Sequence, residues 1–115
     1  MWRIDKHARV YLALGVTDMR KSIQGLSALV EMEMGGKAVS GDLFVFCNRR
    51  RNTIKILYWN LNGFCIWHKR LDKDRFRWPR EDGDVREIRR HELTWLLEGL
   101  DIDQAHQKVV YKRVV

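Results

Sequence analysis

Hydrophobic and polar positions alternate along the chain in ways that predict most of its secondary structure. The run from Arg9 to Val16 is apolar, rich in strand formers and contains Gly15, which predicts a short buried strand. Downstream, Met19, Ile23 and Leu26 begin a row of apolar residues at the spacing of one helical face. We therefore expect a helix that follows the strand.

The ends of this first helix have their own signals. Thr17 or Asp18 has a side chain that can accept hydrogen bonds from the first free backbone amides, so we predict the helix start there. The pair Gly35 and Gly36 predicts its end. Gly25 lies inside the helix and suggests a close backbone approach.

Three strand-like runs follow, GDLFVFCN, NTIKILYWN and GFCIWHKRL. The linker NLNG between the last two suits a tight turn because Asn and Gly tolerate positive φ, so the runs predict an antiparallel meander. Within the second run, Lys55 and Leu57 should point to one side and Ile54 and Ile56 to the other.

The last third of the chain is less regular. RFRWP predicts a short edge strand that ends at Pro79. LTWLLEGLD is helical, but its start has two solutions: a capping box of Asp84 with Glu87, or an extended VREI segment and a start near Arg90. Residues 107–115 could add a last strand or remain a tail.

These elements predict a single α+β domain over residues 1–115, with a core at about 9–101. The predicted architecture is a twisted antiparallel sheet, a meander, with two main helices packed on one face. No apolar run is long enough to span a membrane and no signal peptide is evident, which favours a cytoplasmic location.

Charge changes the picture more than composition does. The net charge is +7, and ten of the 22 Lys and Arg residues but only two of the 15 acids lie between Cys47 and Arg80. Such a concentration of one sign indicates an anionic partner, most often nucleic acid. The alternative is a solvated hairpin face with no binding role. The candidate nucleic-acid-binding residues are Arg49, Arg50, Arg51, Lys55, Lys69, Arg70, Lys73, Arg75, Arg77 and Arg80.

Aromatic residues are interleaved with these cations. Arg75 and Arg77 alternate with Phe76 and Trp78, which predicts one basic and one aromatic side. We interpret Phe76, Trp78 and Trp67 as core or rim residues rather than platforms for stacked bases.

Catalytic and metal-binding patterns are weak in this sequence. Cys47, Cys65 and His68 could contribute to a zinc site, but the second close pair of ligands is missing. The two cysteines are better explained as buried free thiols. With no nucleophile motif and no phosphate-binding loop, we predict neither an enzyme nor a cofactor.

Five blocks together resemble a known family: VYLALGVTDMRKSIQGL, GDLFVFCNRRRNTIKILYW, NGFCIWHKRL, RFRWP and LTWLLEGLD. They resemble the TnpB accessory proteins of insertion sequence 66 elements, from about Arg9 to Asp101. The resemblance implies a small accessory factor that works beside a separate transposase, and it supplies no catalytic residue to carry over.

Two main functions remain open from the sequence, beside a weaker third one, a nuclease or strand-transfer subunit. The first is a non-enzymatic accessory protein that binds DNA, at the element's ends, through the basic segment and assists the transposase. The second is a protein adaptor that binds the transposase or another accessory protein and has little DNA contact. The sequence also leaves open whether the chain forms homo-oligomers.

Overall fold

A five-stranded sheet with a helix on each face forms the domain, which confirms the α+β class. The computed structural model describes residues 5–104. In chain order the elements are β1 (Val10–Ala13), α1 (Ile23–Glu33), β2 (Leu43–Cys47), β3 (Thr53–Asn60), β4 (Gly63–Arg70), β5 (Val85–Ile88) and α2 (Arg90–Leu97). The strand order across the sheet is β4-β3-β2-β1-β5.

The sheet is mixed, so the prediction of a purely antiparallel sheet was wrong. β2, β3 and β4 form the expected meander, but β1 runs parallel to β2, with Val10 opposite Leu43. A parallel neighbour needs a long crossover, and α1 lies in the connection that provides it. β5 then pairs antiparallel with the other side of β1.

The two helices pack on opposite faces of the sheet, which corrects the prediction that they share one face. α1 buries Leu26 and Val30 against Phe44 and Phe46 of β2. On the other face, α2 packs with its apolar face onto a larger cluster. That cluster consists of Val10, Leu12, Leu43, Val45, Cys47, Ile54, Ile56, Phe76, Trp78, Ile88, Leu93, Leu96, Leu97 and Ile102.

The physical reason is that the central strand is apolar on both sides. All five residues of β2 are buried, so each sheet face needs its own cover. The sidedness predicted for β3 is confirmed, because Leu57 packs on the α1 face and Ile54 and Ile56 on the α2 face.

The first helix begins later than the sequence suggested. Its N-cap is Ser22, not Thr17 or Asp18. Asp18 instead closes a turn before the helix: its carboxylate accepts the Arg20 backbone N–H at 2.9 Å and the Arg20 guanidinium at 2.7 Å. These bonds from Arg20 lower the pKa of Asp18 to about 2.

The glycines near α1 behave differently from one another. Gly35, at φ +66°, follows the helix end as predicted. Gly36 is close to the core, since a Cβ there would lie 2.9 Å from Phe44 Cε1. Gly25 does not mark a close backbone approach, because the nearest atom to a Cβ there would be Cβ of Lys21 at 3.2 Å.

The second helix takes the later of its two predicted starts. VREI is strand β5, and the helix begins at Arg90. The Asp84–Glu87 capping box does not form; Glu92 accepts the backbone N–H of Arg89 at 2.8 Å instead.

Two predictions concern the ends of the chain and membrane location. The predicted strand or tail at 107–115 lies outside the described residues. Within residues 5–104, neither helix has the length and apolar character needed to cross a membrane.

Candidate nucleic-acid interface

A groove of about 830 Å³ opens beside the turn between β2 and β3, on the α2 face of the sheet. Its walls come from that turn, from the segment after β4 and from the chain after α2. The lining residues are Arg49, Arg51, Lys73, Asp74, Arg75, Phe76, Arg77, Trp78, Pro79, Arg80, Asp101, Ile102 and Asp103. Six of the ten sequence-predicted cations therefore meet in one place.

The turn that carries the arginines is held by two asparagines. Asn48 Oδ1 accepts the backbone N–H groups of Asn52 and Thr53, each at 3.1 Å. The Asn48 side-chain amide also donates to Asn52 Oδ1 at 2.7 Å. Because the side chains of these residues satisfy the turn, the intervening Arg49 and Arg50 remain exposed to solvent.

Arg51 differs from its two neighbours because it is part of the groove floor. Its backbone lies in the left-handed region at φ +58°, and its guanidinium carbon lies 5.8 Å from the centre of the Trp78 ring. Nη1 of Arg51 is buried and has no hydrogen-bond partner within the described chain. Because this nitrogen is shielded from solvent, only the rest of the Arg51 guanidinium can meet a ligand in the groove.

The Cys47 thiol lies beneath the same turn. Burial raises its pKa, and the nearby Arg51 guanidinium only partly opposes this shift. Cys47 is therefore a protonated core residue that helps to fill the space under Arg51. Both Cys47 and Cys65 are free thiols as predicted, but Cys65 is only half-buried.

The segment 75–79 is not a strand, so the predicted edge strand was wrong. Its hydrogen bonds are local or irregular rather than those of a ladder: Asp74 Oδ1 accepts the Arg75 N–H at 2.8 Å, and Phe76 O accepts the Trp78 N–H at 2.9 Å. The predicted alternation is nevertheless confirmed, since Phe76 and Trp78 are buried and Arg75 and Arg77 are exposed.

Two long-range bonds fix this segment to the rest of the domain. The Phe76 N–H donates to Arg51 O at 2.6 Å, which joins the segment to the arginine turn. Trp78 Nε1 donates to Ala13 O at 3.1 Å, which joins it to β1. The exposed arginines are thus carried on a backbone that the core holds in place. Trp67 is half-buried against the same core cluster, as predicted.

Four of the predicted cations do not line the groove. Lys55 lies on the α1 face and donates from Nζ to Met19 O at 2.7 Å. Lys69 donates from Nζ to Leu97 O at 2.8 Å, at the C-terminal end of α2. Arg50 is exposed on the turn, and Arg70 is exposed on β4 at a position that points toward the α1 face.

Sequence reasoning missed the acidic side of the groove. Asp101 Oδ1 accepts the Asp103 N–H at 3.0 Å, and the Asp103 carboxylate pairs with Arg86 at 3.0 Å. Only the short spacing of these two acids hinted at a local turn. The Asp103 carboxylate is paired with Arg86, whereas Asp101 accepts only backbone N–H groups and keeps its negative charge in the groove.

A metal site does not form from the sequence candidates. Within residues 5–104, no three His, Cys, Asp or Glu side chains come close enough to hold a metal ion.

Comparison with known proteins places the chain in a family. Residues 8–107 match the family described as IS66 Orf2-like protein, TnpB_IS66. The chain is 35% identical over 96 residues to uncharacterized protein y4hO of Sinorhizobium fredii, a match that covers 84% of each protein. It is 28% identical over 102 residues to uncharacterized protein y4jC of the same strain, covering 89% of this chain and 87% of the relative. No solved structure matches it.

The family match spans most of the chain and agrees with the five sequence blocks. The chain therefore belongs to the IS66 Orf2-like family, whose role is accessory to IS66 transposition.

Proposed function

We propose that this protein is a non-enzymatic accessory factor of IS66 transposition that binds DNA through the basic groove. Family membership supports the accessory role, and the chemistry of the groove supports DNA as the ligand. The observation that carries the proposal is the excess of cations in the groove, none of which forms a salt bridge within the described residues.

Six Lys and Arg side chains line the groove, against three carboxylates. In the described part of the chain, none of the six forms a salt bridge; the three salt bridges there involve Arg20 and Arg86. Cations held close together without counterions repel one another, and a polyanion relieves that repulsion. A DNA backbone, with its regular series of phosphates, is such a ligand.

Arg51 gives this ligand a defined contact. A phosphate would meet the part of the Arg51 guanidinium that faces the groove, and this guanidinium is already held against Trp78. Arg49, Arg75 and Arg77 then surround that contact and reach neighbouring phosphates. Because these contacts go to the backbone, they fix position and affinity rather than base sequence.

Salt dependence follows from the number of cations. If each groove cation neutralises one phosphate, log K should fall with log salt at a slope of about −5. Affinity for duplex DNA would then fall roughly 10³-fold between about 50 and 200 mM salt.

The test is fluorescence anisotropy of a labelled duplex that carries the element's terminal repeat, beside a scrambled duplex. The double variant Arg75→Gln/Arg77→Gln removes two positive charges. It should bind duplex DNA more weakly and make the slope of log K against log salt less steep by about 2. The matched control is Lys6→Gln/Lys37→Gln, which removes the same charge from two exposed sites away from the groove. Equal loss in both double variants would show that net charge alone matters and would reject the groove.

The alternative is a protein adaptor that binds the transposase or another accessory protein of the same element. An adaptor would bind neither duplex at low salt, and its partner complex would persist when excess duplex is added. A DNA-binding protein would bind both duplexes, and the scrambled one would report how much sequence matters.

A further inference from the structure

The turn between β3 and β4 has an unusual conformation for the residue at its centre. Leu61 lies in the left-handed region at φ +56°, and the Asn62 N–H donates to Asn60 O at 2.6 Å across it. This is a three-residue γ-turn with positive φ, which is strained for any residue with a Cβ. Asn or Gly would fit the same backbone at lower cost.

The strained residue is also fully displayed to solvent. Leu61 is 90% exposed, the highest value among the exposed large hydrophobic side chains of the described chain. At the base of the turn Trp59 packs edge-on against Phe64, with ring centres 4.9 Å apart. The hairpin is therefore firm up to its tip, and the strain holds an apolar side chain outward. Strain kept at an exposed site suggests a function for that site.

Nucleic acid does not suit this tip. The twelve residues from Ile56 to Trp67 contain no charged side chain, although the whole chain carries a net charge of +7. An apolar wedge that enters DNA needs neighbouring cations to hold the phosphates. A hairpin tip without charge, beside the carboxylate of Asp5, is instead where two copies of a basic protein can approach with least repulsion.

A pocket lies beside the tip on the same surface, and Leu61 of the same chain is one of the residues that line it. It has a volume of about 290 Å³ and is lined by Asp5, Gly41, Leu43, Tyr58, Trp59, Asn60 and Leu61. At ~30 Å³ per water it has room for the four carbons of a leucine side chain. A projection and a recess on one patch are what a two-fold symmetric contact requires, because each copy then fills the other.

We propose that the β3–β4 hairpin tip is a self-association site, in which Leu61 of each copy enters the pocket beside Tyr58 and Trp59 of the second copy. This contact is independent of the basic groove and does not rest on the DNA-binding proposal. It accounts for both the strain and the exposure of Leu61, since the side chain is buried only in the dimer.

Sedimentation equilibrium of the full chain over a wide concentration range tests the proposal. We expect a concentration-dependent dimer for the wild type, and a dissociation constant at least about tenfold higher for Leu61→Gly and Leu61→Asn. Met32→Ala is the matched control, because Met32 is 82% exposed on α1 and its loss should leave the dimer unchanged. Added salt should strengthen the dimer by screening repulsion between copies, opposite to its effect on DNA binding.

Thermal unfolding at a concentration where the wild type is monomeric provides the second measurement. Leu61→Gly should raise the midpoint by roughly 5 °C, because glycine removes the strain. If Leu61→Gly is more stable than the wild type yet no longer dimerises, the loss of the dimer cannot be the result of misfolding. A wild type that stays monomeric throughout, or a dimer that survives both Leu61 substitutions, would overturn the proposal.

Discussion

Lys69 provides a direct test of the difference between a structural cation and a groove cation. Its Nζ donates to Leu97 O at 2.8 Å and supplies the positive charge that the last turn of α2 otherwise lacks. A hydrogen bond from a charged donor contributes about 1.5–3 kcal/mol and a cation at a helix C-terminus about 0.3–1 kcal/mol. The cost of partly burying the ammonium offsets some of this gain.

Lys69→Met keeps the length of the apolar stem and removes the charge. We expect the free energy of unfolding to fall by about 1–2 kcal/mol and the thermal midpoint by roughly 5–10 °C. Its affinity for duplex DNA should be close to that of the wild type at a temperature where both are folded. Urea unfolding and anisotropy measure the two quantities separately.

Lys73→Met is the counterpart, because Lys73 lines the groove and its ammonium has no hydrogen-bond or salt-bridge partner among residues 5–104. The free energy of unfolding of this variant should stay within about 0.5 kcal/mol of the wild-type value. The slope of log K for DNA against log salt should become less steep by about 0.9. These roles would be contradicted if Lys69→Met weakened DNA binding and left stability intact, or if Lys73→Met lowered stability and left DNA binding intact.

Three further predictions concern the core, a surface turn and the thiols. Phe76→Ala removes a side chain that is 2% exposed and should cost about 3–5 kcal/mol in urea unfolding, with Arg75 and Arg77 released from the groove; a loss below about 1 kcal/mol would contradict the anchoring role. Asp18→Asn should be less stable than the wild type near neutral pH. Because the pKa of Asp18 falls to about 2 on folding, this difference should persist above the unfolded value near 4 and disappear as the pH approaches 2, and a constant difference in acid titrations would be evidence against the Arg20 contact. Under native conditions an alkylating reagent should modify the half-buried Cys65 before the buried Cys47, whose pKa is raised by burial, and mass mapping of the alkylated peptides would detect the opposite order.

Local patterns in the sequence predicted the elements well. The alternation of Phe76 and Trp78 with arginines is a two-residue period that survives even without a strand, because burial of the rings decides it. The antiparallel pairing of β3 with β4 was predictable because the linker NLNG is short and suits a tight turn. For the start of α2, the alternative with an extended VREI segment was correct, and the helix begins at Arg90 as that alternative predicted.

Long-range relations were not predictable from those patterns. β2 is apolar at every position, so nothing in its sequence says that one face meets α1 and the other α2. A run of apolar residues is equally compatible with a parallel or an antiparallel neighbour, and the crossover through α1 decides for parallel. The predicted N-cap of α1 was wrong for a related reason. The Asp18 side chain can accept backbone N–H groups in a turn as readily as at the start of a helix.

The same limit applies to the candidate interface. Lys55 and Lys69 are indistinguishable by residue type from Lys73, and their roles depend on carbonyl acceptors 36 and 28 residues away along the chain. Arg51 likewise looks like Arg49 and Arg50 in sequence. Only the structure shows that Arg51 has a positive φ and lies over Trp78, at the floor of the groove.

The proposed groove and the proposed self-association tip lie at opposite ends of β3. Arg51 precedes the strand and Leu61 follows it, and eight residues of strand at about 3.3 Å each separate the two ends by roughly 26 Å. β3 is paired on both sides, by β2 and β4, so this separation is rigid. Occupation of one end therefore leaves the other accessible. A dimer joined at the tips would carry its two grooves on the outside, and two such grooves on one duplex would raise affinity through effective concentration without any new contact.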